Sequence, residues 1–302
     1  MSAAEFRALF DELRAWDWPE HPERGALNNL GADQVVAAAG LVRTGKTVTL
    51  SLPLSTQARP DSPQPADFRM TMMPEEDIGL GSVRFAKDYI GADYHNEGHT
   101  HIDAFSHVSY EGRFFGGVPD SSVTSEGAGS GSIDLLEDGL TGRGVLLDIA
   151  RLHGVPWLEA GMHVRGEDLE EAERRQGTTV GQGDILLVRT GHAAHVAAHP
   201  EEAESGKPGL HPTVARFLAA RGVAALGSDG NNDAAPSITE GVGFPIHVLA
   251  LNALGVHLLD YLQFEDVVPV CEREGRWEFL FAAAPLRVRR GTGSPLNPIA
   301  VF

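Results

Sequence analysis

Phe6, Leu9, Phe10 and Leu13 recur at i, i+3, i+4 and i+7, the spacing that lines one face of a helix. Ser2 with Glu5 three residues later is a capping-box pattern, so an amphipathic helix is expected to open the chain and to end near Pro19. Such a helix packs on the body of the protein or on a partner subunit. A second helix is expected from Asp33 to about Val42, giving way at Gly45 to a β-branched, alternating strand over 46–54. Residues 55–93 are rich in Pro, Asp and Met and have no clear period. They read as a long loop or lid, a kind of segment that often carries function in a compact domain.

Further on, strands and helices alternate. Residues 143–149 and 184–190 are apolar enough for buried strands, with a helix from about Gly166 to Arg175 and the tight Gly181-Gln-Gly183 between them. A helix over 212–220, a strand over 223–228 and a buried helix over 245–254 follow, and the glycine-rich 127–131 reads as a flexible connector. This alternation argues for an α/β fold with a mixed β-sheet or barrel-like core flanked by helices. No internal repeat and no long linker divides the chain, so a single domain is expected over 1–302, with an N-terminal helical extension at about 1–30.

Ahead of the alternating part lies Glu97-Gly-His-Thr-His-Ile-Asp-Ala-Phe-Ser-His107. Side chains of an extended strand alternate between faces. Glu97, His99, His101, Asp103, Phe105 and His107 are therefore expected on one side, and Gly98, Thr100, Ile102, Ala104 and Ser106 on the other. Imidazoles and two carboxylates sharing a face cannot all be buried without partners, and together they are the donor set of a metal site. A rise of about 3.3 Å per residue puts His101 and Asp103 roughly 6.6 Å apart at Cα, within reach of one ion. Glu97 lies about 13 Å from His101 in a straight strand. It reaches the same ion only through a bend, for which Gly98 is the easiest place. His107 is equally far out on the other side, a distance that suits a general base or proton shuttle beside a metal. His95 sits on the same alternation but outside this core, and His99 either faces the metal or hydrogen-bonds a loop.

Composition narrows what such a site serves. The 302 residues are 42% hydrophobic, enough for a substantial core. Lys and Arg total 24 against 42 Asp and Glu, and the formal net charge of −18 would repel nucleic acid and anionic membrane surfaces. A small molecule is left as the expected substrate. One cysteine, Cys271, excludes an intrachain disulfide, a Cys-based zinc site and an iron–sulfur cluster, so any metal is held by nitrogen and oxygen. The first residues lack the basic and apolar regions of a secretory signal, and no stretch approaches the roughly 20 apolar residues of a membrane span. A soluble, cytoplasmic protein is expected.

The segment 97–107 resembles the signature of the cyclase family of metal-dependent hydrolases, the group that contains kynurenine formamidase and isatin hydrolase. That signature runs His-x-Gly-Thr-His-x-Asp-x-Pro-x-His, and a longer-chain branch carries His-Gly-x-Thr-His-x-Asp-Ala with a following Ser-His-Val. Gly98, Thr100, His101, Asp103, Ala104 and His107 match, followed by Val108 and Tyr110-Glu-Gly-Arg-Phe-Phe-Gly116. Gly25-Ala-Leu-Asn28 and residues 183–191, 225–229, 245–247 and 291–298 extend the agreement over nearly the whole chain. The resemblance implies a kynurenine formamidase-like swivelling β/β/α fold, a homodimer or homotetramer, and a divalent metal, Mn²⁺ or Zn²⁺. Carried over by position, it implies His101 and Asp103 as metal ligands, His107 as the catalytic acid/base, and His247 with Asp260 as the second ligand pair. His257, close by in sequence, reads as a packing or surface residue.

The chain departs from the pattern at one point of consequence. Where the family's first metal-binding His stands, this sequence has Glu97, and His99 fills a position usually small or apolar. Glu97 as a ligand would make the site harder and favour Mn²⁺. The alternatives are that His99 compensates for a lost ligand or that the site is degenerate. Phe105 replaces the usual Pro or Leu. The implied reaction is hydrolysis of a C–N or C–O bond in a small amide, formamide, lactam or lactone. The alternatives are lyase or cyclase chemistry on the same metal site, and a non-catalytic metal- or ligand-binding descendant. His99, Phe105 and Arg189 are candidate substrate-binding residues, Arg189 either for a substrate carboxylate or in a structural ion pair. Trp16, Trp18, Phe114 and Phe115 either hold a flat substrate or pack in the core or an interface.

Overall fold

A computed structural model describes residues 1–60, 62–76, 78–203 and 206–302. Nine strands form one mixed sheet: Thr47–Thr49 (β1), His101–Asp103 (β2), Leu140–Asp148 (β3), Ile185–Arg189 (β4), Ala225–Ser228 (β5), His257–Asp260 (β6), Glu278–Ala283 (β7), Gly293–Pro295 (β8) and Ile299–Val301 (β9). Their order across the sheet is β1-β9-β7-β3-β4-β5-β6-β2-β8. The central β3, β4, β5 and β6 are parallel. Antiparallel pairing extends the sheet through β7, β9 and β1 on one side and through β2 and β8 on the other. The mixed α/β architecture read from the sequence is the one observed.

The central strands are apolar at consecutive positions because both faces of the sheet are covered. Val145, Leu147, Leu186, Val188 and Leu258 pack in one layer with the apolar sides of helices Gly166–Gln176 and Val214–Arg221. Leu146, Ile185, Leu187 and Leu259 pack in the other with Phe279, Phe281 and Phe302. The opening helix is Ala3–Leu13, shorter than the expected limit at Pro19, and it buries Phe6, Leu9 and Phe10 in the first layer. Its capping box is present: Ser2 N–H donates to the Glu5 carboxylate at 2.8 Å, and Glu5 N–H donates to Ser2 Oγ at 3.3 Å.

Several expected elements differ. Only Thr47–Thr49 of the strand expected over 46–54 pairs in the sheet. The long loop expected over 55–93 contains an antiparallel ribbon, Asp67–Met72 with Lys87–Gly91. Asp61 and Asp77, within that span, lie outside the described residues. The ribbon leaves Phe68, Met70, Tyr89 and Ile90 exposed, so no alternation of buried and solvent positions marks it in the sequence. The glycine-rich connector is tied down, since Gly127–Ala128 pairs with Val123–Thr124. The helix expected over 245–254 starts as α at Pro245–His247 and continues as a π-helix over Val248–Leu254. Among the described residues no helix is long and apolar enough to cross a membrane.

One feature of the sheet positions the candidate site. β5 and β6 end at Ser228 and Asp260, and the space beyond the carboxyl ends of parallel strands is where open α/β sheets bind ligands. The antiparallel neighbour β2 lies in register so that His101 is opposite Asp260 and Asp103 is opposite Leu258.

Candidate metal centre

The extended run expected over 97–107 is a strand only at His101–Asp103. Before it, Gly98 takes φ +88°, a left-handed conformation that glycine adopts without a Cβ clash. After it, His107 N–H donates to Ala104 O at 3.0 Å and closes a turn. The period of two therefore places His101 and Asp103 together and loses its meaning at both ends.

Asp103 is the centre of the cluster and is 0% exposed. His95 Nδ1, His101 Nε2 and His107 Nε2 lie 2.9, 3.5 and 3.9 Å from its Oδ1, and His247 Nε2 lies 3.4 Å from its Oδ2. None of these approaches is a well-formed hydrogen bond, so both buried oxygens are unsatisfied among the described residues. Asp260 turns its Oδ2 to the same point, 3.4 Å from His247 Nε2 and 3.9 Å from His101 Nε2.

Each of these groups is held from behind. His101 Nδ1 lies 2.8 Å from His99 O, which fixes Nδ1 as the protonated nitrogen and turns Nε2 inward. Asp233 does more than one task. Its carboxylate accepts the backbone N–H of Ile246 at 2.7 Å and of His247 at 3.1 Å, capping the helix that begins at Pro245, and it holds His247 Nδ1 at 2.7 Å. Asn232 donates to Asp260 Oδ1 at 2.6 Å and leaves Oδ2 free for the cluster. His95 Nε2 rests 3.1 Å from Thr292 Oγ1. His107 stacks flat on His95, with centroids 3.9 Å and planes 6° apart.

Charge follows from this packing. Burial alone would raise the Asp103 carboxyl, but the imidazoles of His247, His95, His101 and His107 hold it well below the usual carboxylate range. Burial would lower His247, whereas Asp260, Asp103 and Asp233 raise it well above an ordinary imidazole. The anionic cluster thus draws positive charge onto the one histidine it surrounds. Burial dominates at His107 and pushes it down to about 4, so this ring is neutral near pH 7. Unsatisfied buried carboxylate oxygens, imidazoles oriented through their far nitrogens, and an excess of negative charge fit a divalent cation held by nitrogen and oxygen. The ligand atoms of His101, Asp103 and Asp260 lie within 4.8 Å of one another, as do those of His95, Asp103 and His107. The centre opens into a cavity of about 490 Å³ walled by Phe244, Ala234, Val108, Lys207 and Tyr261.

The structure brings together His101, Asp103, His107, His247 and Asp260 from the sequence-based set, and leaves four others out of the cluster, of which Glu97 lines the cavity beside it. The Glu97 carboxylate is bound by Lys207 Nζ, which also donates to Tyr261 Oη at 2.8 Å. His99 turns away, its Nε2 3.0 Å from Gln64 O. Arg189 is committed to a structural ion pair, its guanidinium 2.9 Å from both Asp148 and Glu265. Phe105 is 1% exposed and packs on Phe115 and His257 at centroid distances of 4.8 and 4.2 Å, in the core instead of the pocket. His257 is the packing residue expected, with Nδ1 2.8 Å from Asp103 O. Phe105→Ala is accordingly expected to destabilise the fold by about 3–5 kcal/mol, read from the midpoint of denaturant unfolding. A change confined to substrate affinity would contradict that placement.

Four contributors escaped sequence reasoning. His95 occupies the cluster from a position two residues before Glu97, because the chain turns at Gly98 instead of extending. Asn232, Asp233 and Lys207 lie in stretches without period, so only their neighbours in space reveal them.

Comparison with known proteins agrees with this fold. The chain aligns with the crystal structure of a novel cyclase at 30% identity and TM-score 0.87, covering 96% of this chain and 100% of that one. Isatin hydrolase A from Ralstonia solanacearum superposes at TM-score 0.61 with 23% identity, covering 88% and 94%. A predicted metal-dependent hydrolase from Bacillus stearothermophilus superposes at 0.52 with 18% identity, covering 84% and 97%. The last two likenesses are of fold. No curated protein matches the sequence. The sequence profile of the Cyclase family matches residues 48–232, which include His95, His101, Asp103 and His107, and the chain belongs to that family.

Proposed function

We propose that this protein is a metal-dependent hydrolase that cleaves a C–N or C–O bond in a small amide, formamide, lactam or lactone. The observation that carries this reading is the Asp103 carboxylate, wholly buried, without a hydrogen bond at either oxygen among the described residues, and ringed by four imidazoles. The fold shared with isatin hydrolases and with a predicted metal-dependent hydrolase supports the same class.

His101, Asp103, His247, Asp260 and His95 would hold the ion, and their mixed nitrogen and oxygen donors suit Mn²⁺ or Zn²⁺. His95 supplies a nitrogen in the cluster where the departure at Glu97 had left a ligand in question. A divalent cation there supplies Lewis acidity, polarising a carbonyl and easing deprotonation of water. His107 is neutral, beside the cluster and free of a fixing hydrogen bond among the described residues. Its Nε2 takes the proton of the attacking water and returns it to the leaving nitrogen or oxygen. Asp233 and Asn232 keep His247 and Asp260 in place while this happens.

The test is a metal assay beside a substrate panel of aryl formamides, cyclic imides and lactones. Purified protein is expected to carry stoichiometric Mn²⁺ or Zn²⁺ and to hydrolyse at least one member. Metal without turnover on any of them would sink the hydrolase reading. His107→Ala is expected to keep the metal and to lose about 10²- to 10⁴-fold in turnover. Equal loss of metal in that variant would assign His107 to the ligands.

A further inference from the structure

Among the described residues three groups of side chains are close enough to hold a cation, and two of them meet at Asp103. The third contains no residue of that centre. It consists of His199, Glu201 and Glu202, whose ligand atoms lie within 4.8 Å of one another just beyond the C-terminal end of helix His192–Ala198.

The local structure explains why these groups converge. His195 and His199 are one helical turn apart, and His199 N–H donates to His195 O at 2.8 Å, so the two imidazoles leave the chain on the same side. Pro200 then opens the short turn Pro200–Glu202, which carries the two carboxylates back toward the helix end. His195 Nε2 lies 3.3 Å from Glu202 Oε2, and His199 Nδ1 lies 3.7 Å from Glu201 Oε1. Trp157 is partly buried and packs beside both imidazoles, with centroids 5.3 Å from His195 and 5.7 Å from His199. The His195 side chain is only 14% exposed, so its ring is placed by its neighbours before any ion arrives.

Charge and spacing both suit a cation. Glu201 and Glu202 are consecutive, and two carboxylates brought this close repel each other unless positive charge stands beside them. Donors on a tetrahedral ion with bonds of about 2.1 Å stand about 3.4 Å from one another. The separations of 3.3 and 3.7 Å are near that spacing, so small rotations bring the four donors onto one ion. Two imidazoles with two carboxylates select Zn²⁺ over Mg²⁺ or Ca²⁺, which take oxygen ligands. We propose that His195, His199, Glu201 and Glu202 form a second metal site, for Zn²⁺, that ties the end of helix His192–Ala198 to the turn after it. Val196, Ala197 and Pro200 of these two segments line a cavity of about 710 Å³ that shares Glu97 and Tyr261 with the metal pocket, so the ion braces a wall beside the buried centre. The site does not depend on the hydrolase reading, because none of its residues takes part in that reaction. Glu201 and Glu202 are exposed, so this ion exchanges with solvent and is lost on gel filtration, whereas the Asp103 centre is enclosed.

The experiment takes metal-loaded protein through gel filtration in metal-free buffer and titrates it with zinc chloride in a calorimeter. One further Zn²⁺ per chain is expected to bind in the micromolar range. His199→Ala is expected to weaken it by about tenfold or more, at least the loss seen when a supporting residue of a metal site is removed. Glu202→Gln keeps the shape of the side chain and is expected to weaken it likewise, which separates lost ligation from a disturbed fold. Asp103→Ala is expected to bind this ion with unchanged affinity. Hydrogen exchange read by mass spectrometry is expected to slow across residues 195–203 when zinc is added to the wild-type protein, and not in His199→Ala. Saturation only at millimolar zinc would mean an adventitious ion only and overturns the proposal. So does equal affinity in His199→Ala and Glu202→Gln, or a loss of binding confined to Asp103→Ala, which would place the ion in the buried centre.

Discussion

Asp103→Ala is expected to remove metal and turnover together, with a fall in rate beyond the about 10²- to 10⁴-fold of a lost acid/base. Asp103 is the one residue common to both groups of ligand atoms, with Oδ1 facing His95, His101 and His107 and Oδ2 facing His247. Replacing it by a methyl group deletes both oxygens and leaves imidazoles facing one another across a hole. His247, which the carboxylates now hold well above an ordinary imidazole, would lose one of the three that raise it. Metal per protomer, measured by mass spectrometry after gel filtration, and rate on whichever panel substrate is turned over decide the matter. A variant that keeps stoichiometric metal would show that Asp103 is not a ligand. Beside His107→Ala the pair separates holding the ion from moving the proton.

The second large effect is on stability. Arg189→Ala is expected to destabilise the protein by about 3–5 kcal/mol, because it strands a buried carboxylate. Asp148 is 2% exposed and receives Arg189 Nη1 at 2.9 Å, while the same guanidinium donates to both oxygens of Glu265 at 2.9 and 3.1 Å and to Pro156 O at 3.1 Å. One side chain thus joins the ends of β3 and β4 to the segments carrying Pro156 and Glu265. Asp148 also accepts the N–H of Arg151 at 3.0 Å, which does not balance its charge. Urea unfolding is expected to shift to a lower midpoint with little change in slope. Unchanged stability with a raised KM would instead make Arg189 a substrate residue.

What the sequence disclosed depended on how far each signal reached. Residues 143–148 and 185–189 were legible as strands because both faces of the sheet are covered and the apolar runs are unbroken. His101 and Asp103 were legible as a pair because the strand really does span them. The error at Glu97 has a physical cause: a period of two has meaning only while the backbone stays extended, and Gly98 ends the extension. The turn sends the Glu97 carboxylate to Lys207 and admits His95 to the cluster. Phe105 fails the same way, since the turn after Ala104 swings its ring into the core. His247 and Asp260 came through family resemblance alone, because no local pattern links residues so far from β2. The C-terminal strands differ among themselves. Gly293–Pro295 has no propensity to announce it, whereas β7 buries every second residue and Phe279 and Phe281 carry that alternation openly.

β2 sits between β6 and β8, so both of its neighbours come from the last sixth of the chain. A growing polypeptide folds from its N-terminal end as it emerges. Until residues 257–260 emerge, then, this protein carries His101 and Asp103 on a strand with no edge to join. A nascent chain halted before residue 257 would hold the recognisable motif and no cage. On the metal-dependent reading, capture of the ion waits until β6 and β8 have been made, and its binding free energy rewards only those chains that have paired β2 with them.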